Sequence, residues 1–82
     1  MTKPKFEVVN QRSFQNTPDF MEQLKAHDKK LRKAVGRNAD FSGFGFGERE
    51  NGWEAQTKAE AEKIAAAIRK VKMRATIRKV EW

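Results

Sequence analysis

The chain has 82 residues, no cysteine and a net charge of +7, from 18 basic and 11 acidic side chains. This length allows one small basic domain, residues 1–82, with a single core and no deep pocket. The lack of cysteine excludes disulfides and thiolate metal sites. The longest apolar run, residues 64–68, is too short for a membrane span. No apolar run follows the N-terminal lysines, so we expect a cytoplasmic (intracellular) protein.

The first half of the chain predicts a strand and then a helix. Residues 5–11 mix apolar and polar side chains as in a half-buried strand. Thr17, Pro18 and Asp19 are typical of a helix start, with Thr17 as the cap. Apolar residues then recur at spacings of three and four, as on one face of a helix. Gly36 is typical of the left-handed cap that ends such a helix.

The second half predicts two strands, a helix and a last strand. Residues 41–50 read as a glycine-rich strand, and Asn51-Gly52 is a strong signal for a two-residue hairpin turn into a short third strand. Thr57 and Glu60 form a capping box for a second helix that runs to about residue 72. Residues 74–82 form the fourth strand.

The element order βαββαβ predicts an α+β, ferredoxin-like fold. In this fold a four-stranded antiparallel sheet carries two helices on one face. The first and third strands lie in the centre of the sheet, and the second and fourth lie at its edges.

The excess positive charge is concentrated near the C-terminus. Residues 63–80 contain seven basic side chains and no acidic one, which is typical of a surface for a polyanion or an acidic protein. On the fourth strand, Arg74, Arg78 and Trp82 alternate onto the open face, where guanidiniums hold phosphates and an indole stacks a base. The alternative is a solvated edge strand protected by its charges. The candidate nucleic-acid-binding residues are Arg69, Lys72, Arg74, Arg78, Trp82, Phe44 and Phe46.

Residues 42–47 partly resemble the longer motif of RNA-recognition motif domains, basic–Gly–aromatic–Gly–aromatic–Val–x–aromatic. Residues 43–46 match it, whereas Ser42, Gly47 and Arg49 differ from it. If the glycines of this strand face the helices, Phe44 and Phe46 form a stacking platform for bases on the open face. The alternative is that both rings face the helices as core residues.

The same glycine-rich strand is also a candidate interface, because it lacks the usual guards of an edge strand. A second copy of the chain or a partner could add a strand there. The candidate edge residues, which share the face opposite Phe44 and Phe46, are Phe41, Gly43, Gly45 and Gly47.

A second resemblance concerns the element order and the alanine-rich second helix, which look like those of SPOR-type septal peptidoglycan-binding domains. Those domains carry Gly-Pro-Phe before this helix, where the present chain has Ala55, Gln56 and Thr57.

His27 lies on the apolar stripe of the first helix and is predicted to be structural. The alternative, a general base paired with Asp28, is disfavoured because adjacent helix residues do not face each other. No group of His, Asp and Glu has the spacing of metal ligands. We therefore expect no catalytic residues, metal or cofactor.

These observations favour a small non-enzymatic protein that binds nucleic acid through its C-terminal basic surface, with RNA or single strands preferred. The alternative is an accessory protein of the bacterial or phage kind. It would modulate a partner protein by binding an acidic surface or an exposed strand of that partner. Such a protein could itself be a homodimer.

Overall fold

The elements of the fold follow the predicted order. The structure, a computed structural model, describes residues 5–15 and 17–80. The elements are β1 (Phe6–Ser13), α1 (Phe20–Val35), β2 (Phe41–Gly45), β3 (Glu48–Ala55), α2 (Lys58–Lys70) and β4 (Thr76–Lys79). The strands form one antiparallel sheet in the order β2-β3-β1-β4. The predicted ferredoxin-like fold, with β1 and β3 central and β2 and β4 at the edges, is confirmed.

The turn between β2 and β3 lies five residues earlier than predicted. Phe46 and Gly47 have φ angles of 53° and 76°, as a type I′ two-residue turn requires. Asn51 and Gly52 are buried inside β3, so the predicted turn at these residues was wrong. The Asn51 side chain is used inside the fold, where its Nδ2 donates to Oδ1 of Asp28 at 3.0 Å.

The helix ends agree with the sequence in three of four respects. Thr57 accepts a hydrogen bond from the Glu60 amide at 3.1 Å, and Gly36 ends α1 with φ 90°, both as predicted. The other half of the predicted capping box differs, because the Glu60 carboxylate accepts from the Gln56 amide at 3.3 Å and not from the Thr57 amide. The α2 helix ends at Lys70, near the expected residue 72. The start of α1 differs, because its N-cap is Asp19 and not Thr17. Thr17 instead donates its hydroxyl to the Asp19 carboxylate at 2.7 Å.

The core lies between the helices and one face of the sheet. Val8 and Trp53 contribute from the central strands, Leu31 from α1, and Ala61 and Ile68 from α2, each at most 1% exposed. Side chains alternate along a strand. Val8, Asn10 and Arg12 therefore point toward the helices, while the residues between them point to the open face.

The two neighbours of β1 differ in length. β3 pairs with all eight residues of β1, whereas β4 pairs only with residues 6–9. In the described chain, residues 10–13 thus have no strand beside them on the β4 side. The predicted fourth strand was too long at its start, because Arg74 lies in the segment before β4. Trp82 lies outside the described residues.

Neither helix of the described chain is long and apolar enough to cross a membrane.

Candidate functional site

A basic cleft opens beside the unpaired end of β1. Its volume is about 660 Å³, and it lies between β1, α1 and the segment that leads from α2 to β4. Four basic side chains line it, Arg12, Lys30, Lys72 and Arg74, together with one carboxylate, Glu48. A cleft in which one sign of charge predominates concentrates the field, so this excess of basic side chains attracts anions.

The segment after α2 is fixed against the rest of the fold. Lys72 adopts a left-handed conformation with φ 62°, which turns the chain away from the helix. Nη2 of Arg69 donates to the carbonyl oxygen of Ala75 at 2.8 Å. From the other side, Nδ2 of Asn10 donates to the carbonyl oxygen of Arg74 at 2.7 Å. The cleft wall that carries Lys72 and Arg74 is therefore braced by both α2 and β1.

His27 links the two sides of the cleft through its ring nitrogens. A guanidinium has donors only, so Nη1 of Arg12 donates to Nδ1 of His27, at 3.3 Å. The ring proton then lies on Nε2, which donates to Oδ1 of Asn10 at 2.9 Å. With the bond from Asn10 to Arg74, the hydrogen bonds form one directed chain from Arg12 to the opposite wall.

The surroundings of His27 favour the neutral form of its ring. Its side chain is buried, with 3% exposure. Burial, and next the Arg12 guanidinium, lower the pKa of His27 below its ordinary value of 6.5. The Phe14 ring packs edge-on against the imidazole at 5.3 Å between centroids and lies 4.8 Å from the Arg12 guanidinium carbon. Arg12 is thus held by an imidazole and an aromatic ring.

The structure brings together some of the predicted binding residues and separates others. Lys72 and Arg74 both line the cleft. Arg69 is exposed and braces the segment beside them. Arg78 lies on the open face of the sheet, where it pairs with Glu7 at 2.9 Å and Glu50 at 3.4 Å.

The open face of the sheet is acidic. Arg78 is the basic side chain that the described strands place there. The carboxylates that alternation puts on the same face are Glu7, Glu48, Glu50 and Glu54. Phosphates are repelled by such a surface, so the open face is less suited to nucleic acid than the cleft.

The two candidate stacking residues differ in exposure. Phe46 stands in the turn and is fully exposed. Phe44 is 46% exposed and points to the helix side, where its ring packs 5.2 Å from the ring of Phe20. Phe46 is therefore available to a ligand, whereas Phe44 is partly used in packing.

The candidate edge residues also have different surroundings. The ring of Phe41 lies over Gly52, where an added Cβ would overlap it. An added Cβ on Gly43 or Gly45 would meet nothing within 4 Å. Gly47 belongs to the hairpin turn and not to the edge strand, because the turn lies earlier than predicted.

Four cleft residues were missed in the sequence: Asn10, Arg12, His27 and Lys30. A signal for them was present. Side chains alternate along β1, so Asn10 and Arg12 share the helix-facing side of the strand with the core residue Val8. Polar residues on this side, where apolar ones are expected, were the signal. Lys30 follows His27 by one helical turn and shares its side of α1.

Among the described residues, no group of three or more His, Asp or Glu side chains is placed to hold a metal ion. Comparison with protein-family models, curated proteins and solved structures gave no match. The two family resemblances in the sequence therefore have no further support.

Proposed function

We propose that this protein is a non-enzymatic, cytoplasmic binder of single-stranded nucleic acid, RNA before DNA, with the phosphates held in the basic cleft. The observation that carries the proposal is the convergence of Arg12, Lys30, Lys72 and Arg74 on one cleft. Arginine and lysine in a groove that follows a phosphate backbone supply most of the affinity of such proteins. Of the binding residues predicted from the sequence, Lys72 and Arg74 are the two that line this cleft.

The preference for single strands is supported by the hairpin turn. The carbonyl oxygen of Gly47 accepts a hydrogen bond from the Phe14 amide at 2.8 Å, and Glu48 borders the cleft. The turn that carries the exposed Phe46 therefore adjoins the end of the cleft. Unpaired bases stack on such rings, while bases in a duplex are already stacked.

The test is a salt titration of binding to a labelled single-stranded oligonucleotide. Arg74→Ala should weaken binding and reduce the slope of log K against log salt by about 0.7, because one phosphate contact is lost. Arg78→Ala is the matched control, since it removes the same charge from a site already paired with two glutamates. Equal effects of the two variants, or no binding by the unaltered protein at low salt, would contradict the proposal.

A second candidate function is protein binding through the edge of β2, with a second copy of the chain as the simplest partner. Two observations favour it. β2 has one unpaired edge and no charged side chain, and the exposed Phe46 stands next to it. Such an accessory protein would pair its edge strand with that of another chain. The alternative contact, between the basic cleft and an acidic protein surface, would use the same residues as nucleic acid.

A further inference from the structure

We propose that His27 is a positioning residue of the basic cleft, which holds Arg12 ready for a phosphate and, through Asn10, holds the wall that carries Arg74. This inference rests on the proposed function of the cleft as a nucleic-acid site. It revises the expectation from the sequence that His27 has a structural role only.

The partners of His27 are the first argument. A buried neutral imidazole needs a partner for each of its ring nitrogens, so the identity of the two partners is what bears on function. Here Nδ1 accepts from Arg12 and Nε2 donates to Asn10, and both of these residues line the cleft. Every side chain in the hydrogen-bonded chain thus touches the site, and the ring connects one wall to the other.

The charge of Arg12 is the second argument. Three other arginines of the described chain, Arg37, Arg49 and Arg78, pair with carboxylates. Arg12 is instead held by a neutral imidazole and the face of Phe14. A carboxylate would fix the guanidinium and also cancel its charge. A neutral acceptor fixes it and leaves the charge for an anion, which is what a preorganised phosphate site requires.

The experiment is a double-mutant cycle on oligonucleotide affinity at pH 7.5. His27→Leu removes both hydrogen bonds but no charge, so it should weaken binding about three- to ten-fold with the salt slope unchanged. Arg12→Ala should weaken binding and also reduce the slope by about 0.7. If His27 acts through Arg12, most of the loss caused by His27→Leu should disappear in the Arg12→Ala background.

Two control variants separate positioning from stability. Ile64→Val lowers the stability of the core without touching the cleft, and it should leave affinity unchanged. His27→Gln supplies an amide group that donates through its nitrogen and accepts through its oxygen, so it can replace both kinds of hydrogen bond that the neutral imidazole makes. It should recover part of the affinity that His27→Leu loses.

The tautomer of His27 can be measured on the unaltered protein alone. This test therefore needs neither nucleic acid nor a variant that folds. Imidazole ¹⁵N shifts of the unaltered protein at pH 7.5 should show a proton on Nε2 and none on Nδ1. A proton on Nδ1 would overturn the inference. The inference would also be overturned if Arg12→Ala weakened oligonucleotide binding and His27→Leu did not. The proposed function of the cleft would survive that result. Absence of oligonucleotide binding by the unaltered protein would overturn both proposals.

Discussion

At the scale of single residues, His27 couples folding to pH. Its pKa is lowered in the folded protein, so below about pH 6.5 the unfolded chain takes up a proton that the folded chain does not. Stability is therefore complete above the unfolded pKa and falls as the pH drops below it. The charged groups around the ring are Arg12, Asp28, Lys30 and Arg49. Of these, only Asp28 favours the protonated ring.

The first prediction follows from the direction of the His27 pKa shift. The urea midpoint of the unaltered protein should fall between pH 7.5 and pH 5.5, because the unfolded chain gains a proton that burial and the Arg12 guanidinium keep off His27 in the folded chain. His27→Gln should show a smaller fall over the same interval, since it has no group that titrates there. A fall of equal size in both proteins would assign the pH dependence to other groups.

Gly52 is the other residue with a specific requirement. A side chain there would overlap the ring of Phe41, which lies over Gly52. Gly52→Ala should therefore lower the free energy of unfolding by about 1–3 kcal/mol, as overpacking does. Gly43→Ala, in the neighbouring strand, meets nothing within 4 Å and should be neutral or stabilising by up to about 1 kcal/mol. Chemical denaturation of the two variants checks the difference, and a neutral Gly52→Ala would contradict the assigned packing.

At the scale of elements, the β2–β3 hairpin has an unfavourable residue at its turn. A phenylalanine in the left-handed region costs about 1–2 kcal/mol, and asparagine is preferred at this position. Phe46 is fully exposed, so packing does not offset this cost. A strained, exposed aromatic residue is typical of a functional position, which agrees with a contact to a ligand or partner.

The prediction for the hairpin is that Phe46→Asn raises the free energy of unfolding by about 1 kcal/mol and weakens binding to the ligand. Phe44→Asn, two residues earlier in β2, is the matched control. It should lower stability, because the ring of Phe44 packs on Phe20. Thermal unfolding and oligonucleotide affinity of both variants give the two readouts. A loss of stability in Phe46→Asn would show that the ring has a packing role.

The hairpin also shows where prediction from sequence fails. Asn51-Gly52 and Phe46-Gly47 compete for the same turn, and local preference favours the first pair. The outcome depends on contacts distant in sequence, from Asn51 to Asp28 and from Phe41 to Gly52. The element order and two of the helix caps, Gly36 and Thr57, were predictable because they depend on periodicity and on neighbouring residues.

The candidate site was predictable only in part, for the same reason. Lys72 and Arg74 could be found because the basic charge clusters along the sequence. Arg12 and His27 are 15 residues apart in two elements, and their contact depends on how α1 packs on β1. Arg78 shows the converse, because the glutamates that pair with it are 71 and 28 residues away in the chain.

At the scale of the whole molecule, the fold gathers basic side chains in the cleft and acidic ones on the open face of the sheet. The two edge strands of the sheet also differ in charge. The basic cleft lies beside β1, while the open face carries the glutamates. The β4 edge has Arg78 and Lys79, and such charges discourage pairing between edge strands. The β2 edge has no charged side chain and is the edge on which association is expected.

The last prediction is that the protein self-associates through β2. Sedimentation velocity should show a dimer fraction that rises with concentration, and the amides of residues 41–45 should exchange more slowly as it does. Gly43→Lys should abolish the dimer and leave the monomer folded, because an added Cβ meets nothing within 4 Å at this position and the lysine adds an edge charge. Thr76→Lys adds the same charge on the β4 edge and should leave the dimer unchanged. If both variants and the unaltered protein stay monomeric at high concentration, the β2 edge is solvated, and the basic cleft is the surface on which partners must be sought.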